Sequence, residues 1–159
     1  MTFALVLLVF FALFELPLFR RFPALASRRD RAAWAAGLFF LGAGLLHFLT
    51  PARYVEMMPP ALPAPLLLVW LSGAAEMACG AALLPRRTRR LAAWAAIALL
   101  FAVLPANLHV ALSGGSIEGL PAARAYYLLR IPFQLVYVGW VAYAGGLIPA
   151  RARAATGPA

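Results

Sequence analysis

The residues of this chain that could do chemistry are few, and each is set among apolar neighbours. Six have side chains that bind ligands or carry protons: His47, Glu76, Asn107, His109, Arg130 and Gln134. Two more lie near them in the chain, Ser72 one turn before Glu76 and Pro105 just before Asn107. Imidazole, amide and guanidinium groups hydrogen-bond to ligand oxygens, and a carboxyl takes or gives a proton. In an apolar span such groups are costly, so each is a candidate for a binding role.

These residues do not make up a familiar catalytic set. Two histidines and one glutamate match the ligands of a catalytic zinc site, but the sequence has no HExxH motif and no short spacing between the histidines. A Ser-His-Asp set lacks its acid, because the only aspartate, Asp30, lies between apolar stretches. The single cysteine, Cys79, excludes a disulfide, a CxxC dithiol and a multi-cysteine metal site. We therefore predict no metal and no covalently bound cofactor, and we leave the catalytic residues unassigned.

The composition is that of a membrane protein. Of the 159 residues 65% are hydrophobic and only 12% are charged, against roughly 25% charged in an average globular domain. The net charge of +9 comes from 14 arginines, which stand at the ends of apolar runs. This placement favours anionic lipid headgroups as the counter-charge and argues against nucleic acid.

Five apolar runs have about the length of a membrane-spanning helix, which is roughly 20 residues. They are Thr2–Phe19, Ala32–Thr50, Pro65–Leu84, Leu91–Leu112 and Ile131–Ile148. The period-2 alternation of a membrane β-barrel is missing, so helices must satisfy the backbone in lipid. We predict an all-α membrane protein, with an N-terminal helix and basic loop (1–31), a helical bundle (32–148) and a short tail (149–159). The basic residues follow the first run, so we expect that run to be retained and not cleaved as a signal peptide.

The arginines predict an orientation. If the runs alternate across the bilayer, eleven arginines fall on one side and only Arg53, Arg124 and Arg130 fall on the other. Basic loops favour the cytoplasmic side. We therefore expect the N-terminus outside and the C-terminus inside the bacterial inner membrane.

The polar residues converge in the outer half of the predicted bundle. A helix rises 1.5 Å per residue, which puts His47 roughly 5 Å, Gln134 about 6 Å and Asn107 about 7 Å below the outer ends of their runs. Glu76 lies deeper, about 16 Å from Pro65, while Arg130 can reach inward from the rim. Four helices would thus deliver polar groups to one pocket.

Two local patterns predict which helix faces carry the pocket. Ser72, Gly73, Glu76 and Gly80 share one face, and glycine allows neighbouring backbones to approach closely, so Glu76 should face the bundle. Its partner could be Arg130, His47, His109 or Asn107. Pro105 removes a backbone donor from the fourth helix and leaves the carbonyl of Phe101 without its helical partner. A kink there would open the helix beside Asn107 and His109.

Four segments resemble the DoxX-like family of small bacterial membrane proteins. They carry a G-x-x-H-F end at His47, an S-G-x-x-E helix at Glu76, P-A-N-x-H at Asn107 and R-x-P-x-Q at Arg130, and the resemblance runs from about Gly37 to Tyr143. It implies an antiparallel four-helix bundle core, to which Thr2–Phe19 would be an added N-terminal helix, giving five helices. It also implies a link to respiratory or redox chemistry.

Two functions follow from this combination as hypotheses. In the first, the chain is a redox-associated subunit that binds a quinone or a similar lipid-soluble ligand in the outer polar pocket and works with a membrane or peripheral redox partner. His47, His109 and Asn107 would then bond the carbonyl oxygens, and Glu76 would supply or take a proton. In the second, the chain is a non-catalytic scaffold, lipid-binding or small-solute permeation module, whose polar cluster holds the helices in register.

Overall fold

Every regular element is helical in the part of the chain that the computed structural model describes, which is residues 2–113, 117 and 124–149. The helices are α1 (Thr2–Phe14), α2 (Pro17–Arg20), α3 (Arg28–Leu49), α4 (Pro51–Val55), α5 (Pro65–Leu83), α6 (Arg89–Ser113) and α7 (Arg124–Ala144), with a 3-10 turn at Pro23–Leu25. Three of them, α3, α5 and α6, are long and apolar enough to cross a membrane. The predicted all-α class is thereby confirmed for these residues.

The first apolar run is divided into two helices. Helix α1 ends at Phe14, five residues before the end of the predicted run, and α2 begins at Pro17. Proline has no N–H to donate, and its ring forces the residue before it out of the helical conformation, as the extended Leu16 (φ −60°, ψ 142°) shows. Pro17 then occupies the first position of α2, where proline is well tolerated. The position of Pro17 inside the apolar run could have predicted this break between α1 and α2.

Helix α3 begins four residues earlier than the predicted run because Ser27 and Asp30 form a capping box. The backbone N–H of Asp30 donates to Ser27 Oγ at 3.0 Å, and that of Ser27 donates to the Asp30 carboxylate at 3.2 Å. These bonds satisfy two backbone donors that a helix start leaves open. Asp30 therefore belongs to the first turn of α3, and is not a loop residue.

Helices α3 and α5 pack antiparallel along two pairs of glycines. Gly37 faces Gly80, and Gly44 faces Gly73, so the two contacts are seven residues apart on each helix. A Cβ atom placed on Gly80 would lie 2.7 Å from the carbonyl oxygen of Gly37, which leaves no room for any side chain. The close-packing face predicted for α5 is confirmed, and it carries Glu76 into the protein.

At one end of the molecule, arginines surround the carboxylates of Asp30 and Glu15. Arg86 binds Asp30 with both Nε (2.9 Å) and Nη2 (2.7 Å), and Arg89 Nη1 binds the same carboxylate at 2.7 Å. Glu15 lies between Arg20, Arg28 and Arg31. Arg29 Nη2 donates to the carbonyl of Ile148 at 2.7 Å, just after α7. The segments that follow α1, α5 and α7 thus meet at one end, called here the arginine-rich end.

Helix α7 begins seven residues before the predicted run and ends four residues before its end. The predicted run Ile131–Ile148 would put Pro132 in the first turn of its helix, but Pro132 lies inside the helix, so that prediction was wrong. Helix α6 continues through Pro105 from Arg89 to Ser113. An apolar core of residues from α1, α3, α5, α6 and α7, with Cys79 and Leu83 among its buried members, fills the space toward the arginine-rich end.

Candidate functional site

A cavity of about 510 Å³ lies between α3, α4, α5, α6 and α7, on the side of the core away from the arginine-rich end. Seven of the eight residues singled out in the sequence line it: His47, Ser72, Glu76, Pro105, Asn107, Arg130 and Gln134. Most of the other lining residues are apolar or aromatic. The predicted convergence of polar groups from four helices is therefore present in the structure, whereas their role in binding stays a prediction.

His109 is the exception, since it does not line the cavity. Successive residues of an α-helix are rotated by about 100°, which puts a residue two positions after Asn107 on nearly the opposite face. Since α6 is helical throughout this stretch, the two side chains point in different directions. The structure does not bring His109 together with the other candidates, and this correction could have been made from helical periodicity alone.

His47 is held at the cavity wall by α5. Its side chain is 8% exposed, and its Nδ1 lies 3.0 Å from the carbonyl oxygen of Val69 and 3.1 Å from Ser72 Oγ. The Ser72 hydroxyl itself donates to the Val69 carbonyl at 2.9 Å. The ring orientation is thus fixed by two groups of the facing helix, and Nε2 is turned away from them.

The other ring nitrogen of His47 faces Glu76. The distance from Nε2 to Glu76 Oε2 is 3.7 Å, which is too long for a hydrogen bond. Within the described residues Glu76 Oε2 has no hydrogen-bond partner, although its side chain is only 14% exposed. Of the four partners that the sequence allowed for Glu76, His47 is the one that lies against it. A buried polar atom left open on a cavity wall indicates a place for a ligand group or water.

Tyr54 of α4 covers His47 and was not predicted as part of the site. The two rings are stacked, with centroids 3.8 Å apart and an angle of 29° between their planes. Burial raises the pKa of Tyr54 to about 12, so its hydroxyl stays protonated at neutral pH. The stacking depends on α4 folding back over α5, which is a tertiary contact.

Asn107 and Gln134 join α6 to α7 at the cavity. Asn107 Nδ2 donates to Gln134 Oε1 at 3.1 Å, and Gln134 Nε2 donates to the carbonyl of Leu100. Leu100 lies five residues before Pro105, so a side chain of α7 supplies a donor to the α6 backbone near the proline. The sequence had pointed to the neighbouring carbonyl of Phe101. Gln134 thereby has a hydrogen bond on each of its two polar atoms.

Arg130 brings a positive charge to the cavity wall. Its Nη1 lies 4.0 Å from the sulphur of Met57, and no carboxylate is in salt-bridge distance of it among the residues that the structure describes. Guanidinium has only donors, and it pairs well with the oxygens of an acceptor or anion. No group of three or more His, Cys, Asp or Glu side chains in the described chain could hold a metal ion.

Comparison with known proteins gives a family but no characterised relative. No curated protein and no solved structure matches the chain. A family model described as a domain of unknown function (DUF8561) matches residues 35–144, a span that includes all the residues that line the cavity. This match does not test the resemblance to the DoxX-like family. It covers more than half of the sequence, and the chain therefore belongs to the DUF8561 family.

Proposed function

We propose that this protein is an integral membrane protein of the DoxX-like type, an antiparallel four-helix bundle with an added N-terminal helix. Support comes from the three helices long enough to cross a membrane and from the antiparallel packing of α3 on α5. The arginine-rich end lies in the cytoplasm of a bacterium in this proposal, because basic segments favour that side. The N-terminus is then outside the inner membrane and the C-terminus is inside.

Within this arrangement, the protein is a redox-associated subunit that binds a quinone or a similar lipid-soluble ligand in the cavity. The observation that carries the proposal is the cavity itself, about 510 Å³ in volume, with an apolar wall and polar groups from four helices. Sites for small ligands have volumes of about 300–1,000 Å³ and this same mixture of apolar walls and a few polar groups. A ring with two oxygen substituents would find partners at His47 and Glu76 and, separately, at Arg130.

Electron transfer requires a second protein in this proposal. The chain has a single cysteine, Cys79, which is buried in the core, so it cannot form the dithiol of a thiol-linked quinone enzyme. A membrane or peripheral redox partner would exchange electrons with the bound ligand, and Glu76 would take or give the accompanying proton. The test is the amount of quinone that copurifies with the protein and its dependence on Glu76, as set out at the end of the Discussion.

A second function is favoured by a different contact. Asn107 donates to Gln134 and Gln134 donates to the Leu100 carbonyl, and such interhelical hydrogen bonds lock helices together in a scaffold. A non-catalytic scaffold, lipid-binding or small-solute permeation module would use the cluster in this way. In that case substitution of Glu76 or Arg130 lowers the melting temperature and changes no ligand content.

A further inference from the structure

We infer that the ligand of the cavity presents a hydroxyl donor to His47 Nε2, which makes it a phenol or hydroquinone and not an oxidised quinone. This inference rests on the proposed function and narrows the ligand class of the same cavity. It depends on which nitrogen of His47 carries the proton, and the surroundings of the ring decide that.

The proton of the neutral His47 ring is assigned to Nδ1. This nitrogen is 3.0 Å from the carbonyl oxygen of Val69, and a carbonyl oxygen only accepts hydrogen bonds. A bare Nδ1 would set two lone pairs against each other at that distance. The Ser72 hydroxyl cannot reverse the assignment, because it donates to the same carbonyl at 2.9 Å and can then accept from Nδ1. The bond made by one ring nitrogen fixes the state of the other, so Nε2 is an acceptor.

Glu76 faces Nε2 but does not provide the hydrogen-bond donor that this nitrogen requires. Glu76 Oε2 lies 3.7 Å away, without a hydrogen bond among the described residues, so neither atom satisfies the other. A hydroxyl placed between them can donate to Nε2 and so give that nitrogen the partner it lacks. A quinone carbonyl has no proton to give, and it would leave the Nε2 lone pair unpaired in a buried site, which is unfavourable.

The remainder of the cavity suits an aromatic body with a second oxygen. Tyr54, Phe133 and Tyr137 are among the aromatic residues that line the wall. Arg130 has only donors, and within the described chain the Met57 sulphur is the only acceptor in hydrogen-bond distance of its guanidinium. An acceptor oxygen on the ligand would complete this second position. The two positions together call for a ring that donates at one place and accepts at the other.

A pair of redox-inert probes tests the donor directly. The phenol 4-hexylphenol and its methyl ether 4-hexylanisole differ in the O–H group and share the ring and the alkyl chain. Binding to the full-length protein in detergent is measured by titration calorimetry. We expect the phenol to bind about tenfold more tightly than the ether, since one hydrogen bond in a buried site contributes roughly 1.4 kcal/mol. His47→Phe should abolish the preference, and His109→Gln, which changes the other histidine, should keep it.

Nitrogen NMR of the wild-type protein tests independently which ring nitrogen of His47 carries the proton. The result does not depend on whether a variant folds. The chain has two histidines, so ¹⁵N-labelled histidine gives few signals. We expect His47 to show a proton on Nδ1 and none on Nε2 near neutral pH. A proton on Nε2, or equal binding of the phenol and the ether, overturns the inference. If equal binding is seen while native quinone copurifies, the proposed function stands and only the ligand class is wrong; if neither probe binds and no quinone copurifies, both fail.

Discussion

Gly44 in α3 and Gly73 in α5 lie in direct backbone contact. A Cβ atom at Gly44 would be 2.5 Å from the carbonyl oxygen of Gly73, and one at Gly73 would be 2.9 Å from the carbonyl oxygen of Gly44. The same Gly73 position would bring a Cβ atom to 2.5 Å from His47 Cβ. Close packing of the two helices and the position of His47 at the cavity therefore depend on the same glycines.

Gly44→Ala should separate α3 from α5 and destabilise the protein. Forcing an extra methyl into a packed contact costs about 1–3 kcal/mol. Gly42 provides the matched control, because it lies in the same helix with nothing within 4 Å of its Cβ position. Melting temperatures in detergent should fall for Gly44→Ala and stay level or rise for Gly42→Ala. Equal melting temperatures for the two variants would contradict the close packing.

Asp30 holds the arginine-rich end together, and Asp30→Asn should destabilise it strongly. The Asp30 side chain is 4% exposed and Arg89 is 8% exposed, so the substitution leaves a buried guanidinium without its anion. Removing one partner of a buried pair costs about 3 kcal/mol or more. Arg86 is 62% exposed, so Arg86→Gln should lower the melting temperature much less than Arg89→Gln does. An effect of the same size for both arginines would show that burial does not decide the strength of these pairs.

Glu15 should make the stability of this end depend on pH. Burial alone would raise the pKa of Glu15, but the hydrogen bond and charge of Arg31, with the charges of Arg28 and Arg20, hold it below its ordinary value of 4.5. A carboxyl with a lowered pKa in the folded state contributes stability above its ordinary value, and this contribution is lost as the pH falls through the folded pKa. As the pH falls from roughly 6 to 3, the melting temperature should decrease less for Glu15→Gln than for the wild type. The same pH dependence of the melting temperature in both proteins would show that the three arginines do not act on Glu15.

The Tyr54 ring should matter for the site more than its hydroxyl does. Its stacking on His47, at 3.8 Å between ring centroids, closes the site on the α4 side. Tyr54→Phe keeps the ring and should retain the bound ligand. Tyr54→Ala removes the ring, exposes His47 and should lower the ligand content of the purified protein. Loss of ligand in both variants would instead assign the contact to the hydroxyl.

The parts of the site that could be predicted from the sequence are those that depend on the residue pattern within a single helix. His47, Glu76 and Gln134 are polar residues in apolar helices, and such residues must face the protein, so their common cavity follows from hydropathy and depth. His109 was placed in the pocket because only its depth along the helix was considered. Its angular position around the helix axis puts it on a different face from Asn107. Polarity within one run was therefore informative only when combined with the helical period.

The missed features depend on tertiary contacts. Tyr54 reaches His47 because α4 turns back after Thr50; Pro51 predicts a break in the helix there, but nothing in the local pattern specifies where α4 then packs. Asp30 binds Arg86, which lies 56 positions later in the chain, and many arginines of similar surroundings could have taken its place. The early end of α1, in contrast, follows from Pro17 and was available in the sequence.

The central claim, that the cavity holds a lipid-soluble quinone or its reduced form, is tested by ligand content. The protein is purified from its native membrane in mild detergent and extracted with organic solvent, and quinone and hydroquinone are quantified together per chain. The account predicts close to one ligand per chain in the wild type and in His109→Gln, and a large loss in Glu76→Gln at unchanged melting temperature. A wild-type content no higher than that of an unrelated membrane protein prepared in the same way would contradict it.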